Sequence, residues 1–209
     1  MQPQAIKCPS CGATHDVLNP GVITVVCEYC GNAVYWDVDK IRDAGRQSIL
    51  PEGFTRLFRG ATGRLAKRRF TVLGRVRYSF GKGFWDEWFL SFADDTIGWL
   101  TEDNHELALQ HRTEIKKPPA PETLQPGRKF KARGIDFIVR EVGRAECIGV
   151  EGDLPVAIQT GETYAFADAA SPDGSHILGI EYDTDPPTVF VGRWLTYADL
   201  TLDDEGLDW

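Results

Sequence analysis

Four cysteines within the first thirty residues constrain this chain more than any other feature. They come as two pairs, Cys8-Pro9-Ser10-Cys11-Gly12 and Cys27-Glu28-Tyr29-Cys30-Gly31, with fifteen residues between Cys11 and Cys27. That spacing suits a four-thiolate zinc site. So short a stretch cannot bury enough apolar surface to fold alone, and a metal has to close it. Gly12 and Gly31 can take the positive φ that such knuckle turns need. Val22 to Val26 and Ala33 to Trp36 are β-prone, and knuckle, strand, knuckle, strand is the plan of a zinc ribbon. Cys8, Cys11, Cys27 and Cys30 are therefore the expected ligands, with zinc as a structural cofactor. Four protein thiolates leave tetrahedral zinc no open position for water or substrate. Rubredoxin-like iron binding and a redox CxxC are the alternatives. Replacing one cysteine by Ser is expected to unfold the ribbon and leave the rest largely intact.

The remaining chain reads as all-β. Residues 39–46 could form a short helix capped by Asp37 or Asp39. Phe70, Val72, Val76, Tyr78 and Phe80 then alternate with polar residues, with Gly74 keeping the phase, as a half-buried strand does. After the Gly81-Lys82-Gly83 turn come Trp88, Leu90 and Phe92, then Ile97 to Leu100, then Leu107 to His111, a four-stranded meander. A proline-rich connector, Lys116 to Pro121, is followed by strands near 129–142, 145–151, 162–168, 176–182 and 188–195, broken by Gly143, Gly152-Asp153, Pro172-Asp173-Gly174 and Pro186-Pro187. The halves share short strings, such as Phe70 to Val76 with Ile138 to Ala145, and an internal duplication would explain them. The expected architecture is mainly β. A zinc ribbon occupies 1–38 and a linker 39–58. An all-β body over 59–198 has halves 59–115 and 124–198 packed as a sandwich or barrel, and an acidic tail covers 199–209.

Charge bears on partners. The net charge of −8 argues mildly against nucleic acid as the main partner, yet between Arg56 and Arg77 there are eight basic residues and no acid. Arg64, Lys67, Arg68, Arg69, Arg75 and Arg77 could thus meet an anionic partner, or form a solvated strand face paired with the acidic tail. Trp85, Asp86 and Glu87 set two carboxylates between indoles, which could bind a small cation. Cys147, in an apolar stretch, is expected in the core. The histidines His15, His105, His111 and His176 lie apart, and no HExxH or GxSxG motif occurs, so catalysis is not expected. No apolar run is long enough to span a membrane, and the opening residues lack a signal-peptide core, so a reducing cytoplasm is the expected setting. The final ten residues mix acids with Leu and Trp, as either a docking motif or a frayed terminus.

From about Gly60 to Leu195 the chain resembles a bacterial family, domain of unknown function 4178. The resemblance rests on Gly74 to Tyr78, Trp85 to Leu90, Ile97 to Glu102, Ala145 to Cys147, Glu151 to Pro155, Ile180 to Tyr182 and Phe190 to Arg193. The family has no established activity. The resemblance implies an accessory factor in membrane-associated, stress-linked or polyamine-linked gene clusters. The expected function is a non-enzymatic interaction or scaffold protein with a protein partner. The alternatives are a nucleic-acid binder using the basic stretch and a binder of a small cationic ligand.

Overall fold

The computed structural model describes residues 4–17, 21–37, 40–47, 50 and 55–203. Sixteen strands, β1 to β16, account for most of them, and no α-helix occurs among the described residues. A hairpin, β1 (Gln4–Lys7) with β2 (Thr14–Val17), stands apart. The other strands join one antiparallel network. β7 (Arg68–Ser79), β8 (Phe84–Phe92), β9 (Ile97–Asp103) and β10 (Glu106–Arg112) form the first meander. β12 (Ile135–Leu154), β13 (Thr163–Ala170), β14 (Ile177–Glu181) and β15 (Thr188–Leu195) form the second. β10 pairs with β15 and β12 pairs with β7, so the eight strands close on themselves. Closure removes the unpaired edges of both meanders, and the expected sheet-rich body is a barrel-like ring.

The two halves repeat one order of elements. β6 (Thr62–Leu65) turns tightly into β7, and β11 (Lys129–Ala132) turns tightly into β12. Both turns are two residues long with positive φ throughout, Ala66-Lys67 and Arg133-Gly134, the pattern that matches strand twist in tight hairpins. The break expected at Gly143 is absent. β12 runs through it, 20 residues in all, because the turn lies earlier, at Arg133-Gly134. Gly143 instead makes room for Phe166, whose ring would lie 3.1 Å from a Cβ there.

Three apolar cores follow from the closure. One, inside the ring, joins Val76, Tyr78, Phe89, Ala145, Cys147 and Val150 with Trp85, Trp99, Tyr164 and Phe166. A second lies outside the first meander, where Leu57, Leu65 and Leu200 cover Phe70, Trp88 and Leu100. A third lies outside the second meander around Phe137, Leu178 and Ile180. Gly74 does not keep a single phase along β7. A bulge between Val72 and Gly74 rotates the strand, so Phe70 and Val72 face the outer core while Val76 and Tyr78 face the inner one.

Two further differences concern the flanks. Residues 40–47 are a strand, β5 (Lys40–Gln47), where a helix over 39–46 is expected from sequence. β4 (Asn32–Asp37) offers it an open edge, and pairing there overrides a weak local preference. The start of the acidic tail belongs to the body. β16 (Leu200–Leu202) pairs with β6, and Leu200 and Leu202 are buried. Residues 204–209, including Trp209, lie outside the described residues.

Candidate functional site

The ribbon is built by two matching knuckles. In the first, the Gly12 N–H donates to Cys8 O at 2.8 Å and the Cys8 N–H to Ala13 O at 2.8 Å. In the second, the Gly31 N–H donates to Cys27 O at 2.8 Å and the Cys27 N–H to Asn32 O at 2.9 Å. Gly12 and Gly31 take φ of 79° and 73°, values a side chain would resist. Both turns aim their sulfurs at one point, with all four Sγ atoms within 4.8 Å of one another. Cys8 and Cys30 Sγ are 3.8 Å apart, and Cys11 and Cys27 Sγ 3.6 Å. These gaps are far too long for a disulfide, which needs about 2.05 Å. Four thiolates at about 2.3 Å around a tetrahedral ion stand about 3.8 Å apart, and the quartet fits that figure.

The surroundings also suit a cation. Burial pushes the Cys27 thiol up to about 12, while the Asn32 backbone N–H draws Cys30 down to about 7. A metal ion bound at the centre would supply the charge that keeps such sulfurs ionised. His15, itself buried, brings Nε2 to 3.2 Å from Cys27 Sγ, where it would be an outer contact to a thiolate ligand. The quartet is thus a possible metal site of zinc-ribbon type.

This ribbon is not detached from the ring. β3 (Thr24–Val26) pairs with the end of β12, and the Ile23 N–H donates to Leu154 O at 2.8 Å. Thr24 Oγ1 donates to Val156 O at 2.6 Å, and Val26 and Ala33 pack in the same cluster as Val150 and Leu154. Arg59 binds both Glu28 of the second knuckle and Asp153 of β12.

The basic stretch is largely committed within the chain. Arg77 is only 1% exposed, and its Nε and Nη2 each donate to an Asp86 carboxylate oxygen at 2.7 Å. Arg75 lies against the Trp88 ring at 4.7 Å and pairs with Asp86 and Glu151. Neither has surface left for an anionic partner, because the bulge in β7 turned both onto the covered outer face. Arg68 pairs with Asp94, and Arg69 with Asp203 from the acidic segment. Arg64 and Lys67 remain exposed.

The candidate cation patch divides likewise. Asp86 points outward to Arg77, while Trp85 and Glu87 point into the ring, where Trp85 Nε1 donates to Glu87 Oε1 at 3.0 Å. Glu87 has inward-facing company that the sequence reading did not single out: Gln110 of β10, Asp168 of β13 and Glu181 of β14. A carboxylate between two alanines, as in Ala167-Asp168-Ala169, was the available signal, but only closure of the ring reveals which face is interior. Cys147 is fully buried in the inner core, as expected, and burial pushes its thiol up to about 12.

No curated protein and no solved structure matches the chain. Residues 59–197, a span that holds every strand of the ring, match the family model Domain of unknown function (DUF4178), and the chain belongs to that family.

Proposed function

We propose that this is a non-enzymatic interaction protein in which zinc, held by Cys8, Cys11, Cys27 and Cys30, fixes a ribbon that docks a protein partner. The convergence of four sulfurs on one point carries this reading. A site filled by four thiolates shapes the chain and does no chemistry. The ribbon so held presents Tyr29, 76% exposed at the tip of the second knuckle, and ends in β5, the last strand of the network. An exposed aromatic and an open strand edge are features by which sheets recruit other proteins. Thiolate ligation also suits a reducing compartment such as the cytoplasm. A nucleic-acid role has less support, since Arg75 and Arg77 are spent in buried ion pairs.

The test uses full-length protein purified with its native partner. Tyr29→Ser should retain zinc and melting temperature yet lose the partner. Retention of the partner by Tyr29→Ser, or recovery of nucleic acid in place of protein, contradicts the reading.

A further inference from the structure

Inside the ring four strands bring together more acceptors than the described residues supply with donors. Asp168 and Gly179 are direct partners across β13 and β14. Gly179 has no side chain, and a Cβ there would stand 3.4 Å from Gln110 Oε1 and 3.5 Å from Asp168 Oδ1. Both oxygens therefore overlook the same bare stretch of backbone. Gln110 is only 9% exposed; its amide nitrogen donates to Thr101 Oγ1 at 3.3 Å, and its carbonyl oxygen has no donor. A buried carbonyl without a partner is costly, so a donor, from water or from a ligand, is expected to meet it.

Glu87 and Glu181 complete the group. Burial raises the titration point of Glu87, Asp168 and Glu181, and repulsion from Glu87 adds to the rise at both other acids. Asp168 is pushed up to about 7. The charged neighbours are mostly of the same sign. Glu141 on β12 repels Asp168, and Asp183 beyond β14 repels Glu181. Arg112 on β10 partly offsets the charge of Glu181. Tyr78 on β7 is held neutral beside Glu87 and Glu181. All three acids are half-buried, so solvent reaches them.

We propose that the ring interior binds an organic ammonium ion, with Asp168, Glu181, Glu87 and Gln110 Oε1 accepting its N–H donors. A small metal ion fits less well. Among the described residues, the cysteine quartet is the one group of three or more Cys, His, Asp or Glu ligands that converges as a metal site would require, and the three carboxylates do not form such a group. A flexible chain with an ammonium at each end spans such a spread. Its methylenes would lie on the neighbouring aromatic cluster, where Trp85 stacks on Tyr78 at 5.3 Å and meets Phe166 edge-on at 5.4 Å. None of its polar residues belongs to the ribbon or to the ribbon's proposed partner surface.

Calorimetric titration of the full-length, zinc-loaded protein with α,ω-diaminoalkanes of three to eight carbons tests this. Saturable binding is expected at pH 8, weakened at least about tenfold at pH 5.5, where the carboxyls are protonated. Asp168→Asn and Glu181→Gln, which keep side-chain shape, should each weaken it about tenfold or more. Unchanged zinc content and melting temperature will show that these variants are folded. Absence of saturable heat for every diamine at pH 8, equal affinity in both variants, or tighter binding of magnesium or calcium overturns the proposal.

Discussion

Arg77 and Asp86 face each other across β7 and β8, and their pairing explains why two charges occupy a covered face. Each guanidinium–carboxylate contact is 2.7 Å, and the Phe84 ring lies 4.3 Å from the Arg77 guanidinium. Removing one partner leaves the other charge buried. Arg77→Met should therefore destabilise the fold by about 3 kcal/mol or more in urea denaturation. The double variant Arg77→Met with Asp86→Leu should recover most of that loss, because apolar pairs substitute well for buried ion pairs. A single variant as stable as the parent would contradict the buried pair. Sequence alone places these arginines with polar residues, since Arg75, Arg77 and Ser79 alternate with apolar ones. It cannot tell a solvated face from a second covered one. That distinction depends on Leu57, Leu200 and Leu202, distant in the chain, folding over the outer side.

β12 is the element that ties the molecule together. Its first part pairs with β13, its second with β7, and its end with β3 of the ribbon. Where it crosses β7, Gly152 opposes Gly74, and each needs to be glycine. Gly152 has φ of 75°, and a Cβ on it would meet Leu73 O at 2.2 Å. Gly152→Ala should cost at least about 2 kcal/mol, measured by denaturation. It should also loosen β7 from β12, read as faster amide exchange at Val76 and Val150. Unchanged exchange at both would contradict closure at this point. This element was only partly legible: Gly152-Asp153 reads as a break, yet β12 runs on through it to Leu154. Glu151-Gly152-Asp153-Leu154-Pro155 did stand out in the sequence, and it combines a partner for Arg75, the glycine crossing, a contact for Arg59 and a buried Leu154. Turns were less legible. Ala66-Lys67 lacks the Gly or Asn that marks tight hairpins, and Gly143 looked like a stop although it only accommodates a ring. β5 reads as helix because nothing local announces that β4 has an edge to fill.

At the scale of the whole molecule, the ribbon packs on the ring through β3 and β12, and the two should therefore melt together. The cysteine spacing was sufficient to identify which four sulfurs converge, since a CxxC knuckle is a local device. Its attachment was not visible, because Val26 and Ala33 find Val150, Leu154 and Ile158 only through the pairing of β3 with β12. The shared packing predicts that a Cys→Ser variant also weakens the body. In small zinc modules metal binding supplies about 10–16 kcal/mol, in effect the folding free energy, so its loss should release the ribbon and uncover part of the inner core. The decisive measurement is calorimetric melting of the full-length chain with and without chelator, alongside its metal content. One zinc per chain is expected, with the main transition falling by at least about 5 °C on chelation and in Cys11→Ser. A ring that melts at an unchanged temperature once the metal is gone would contradict the shared core.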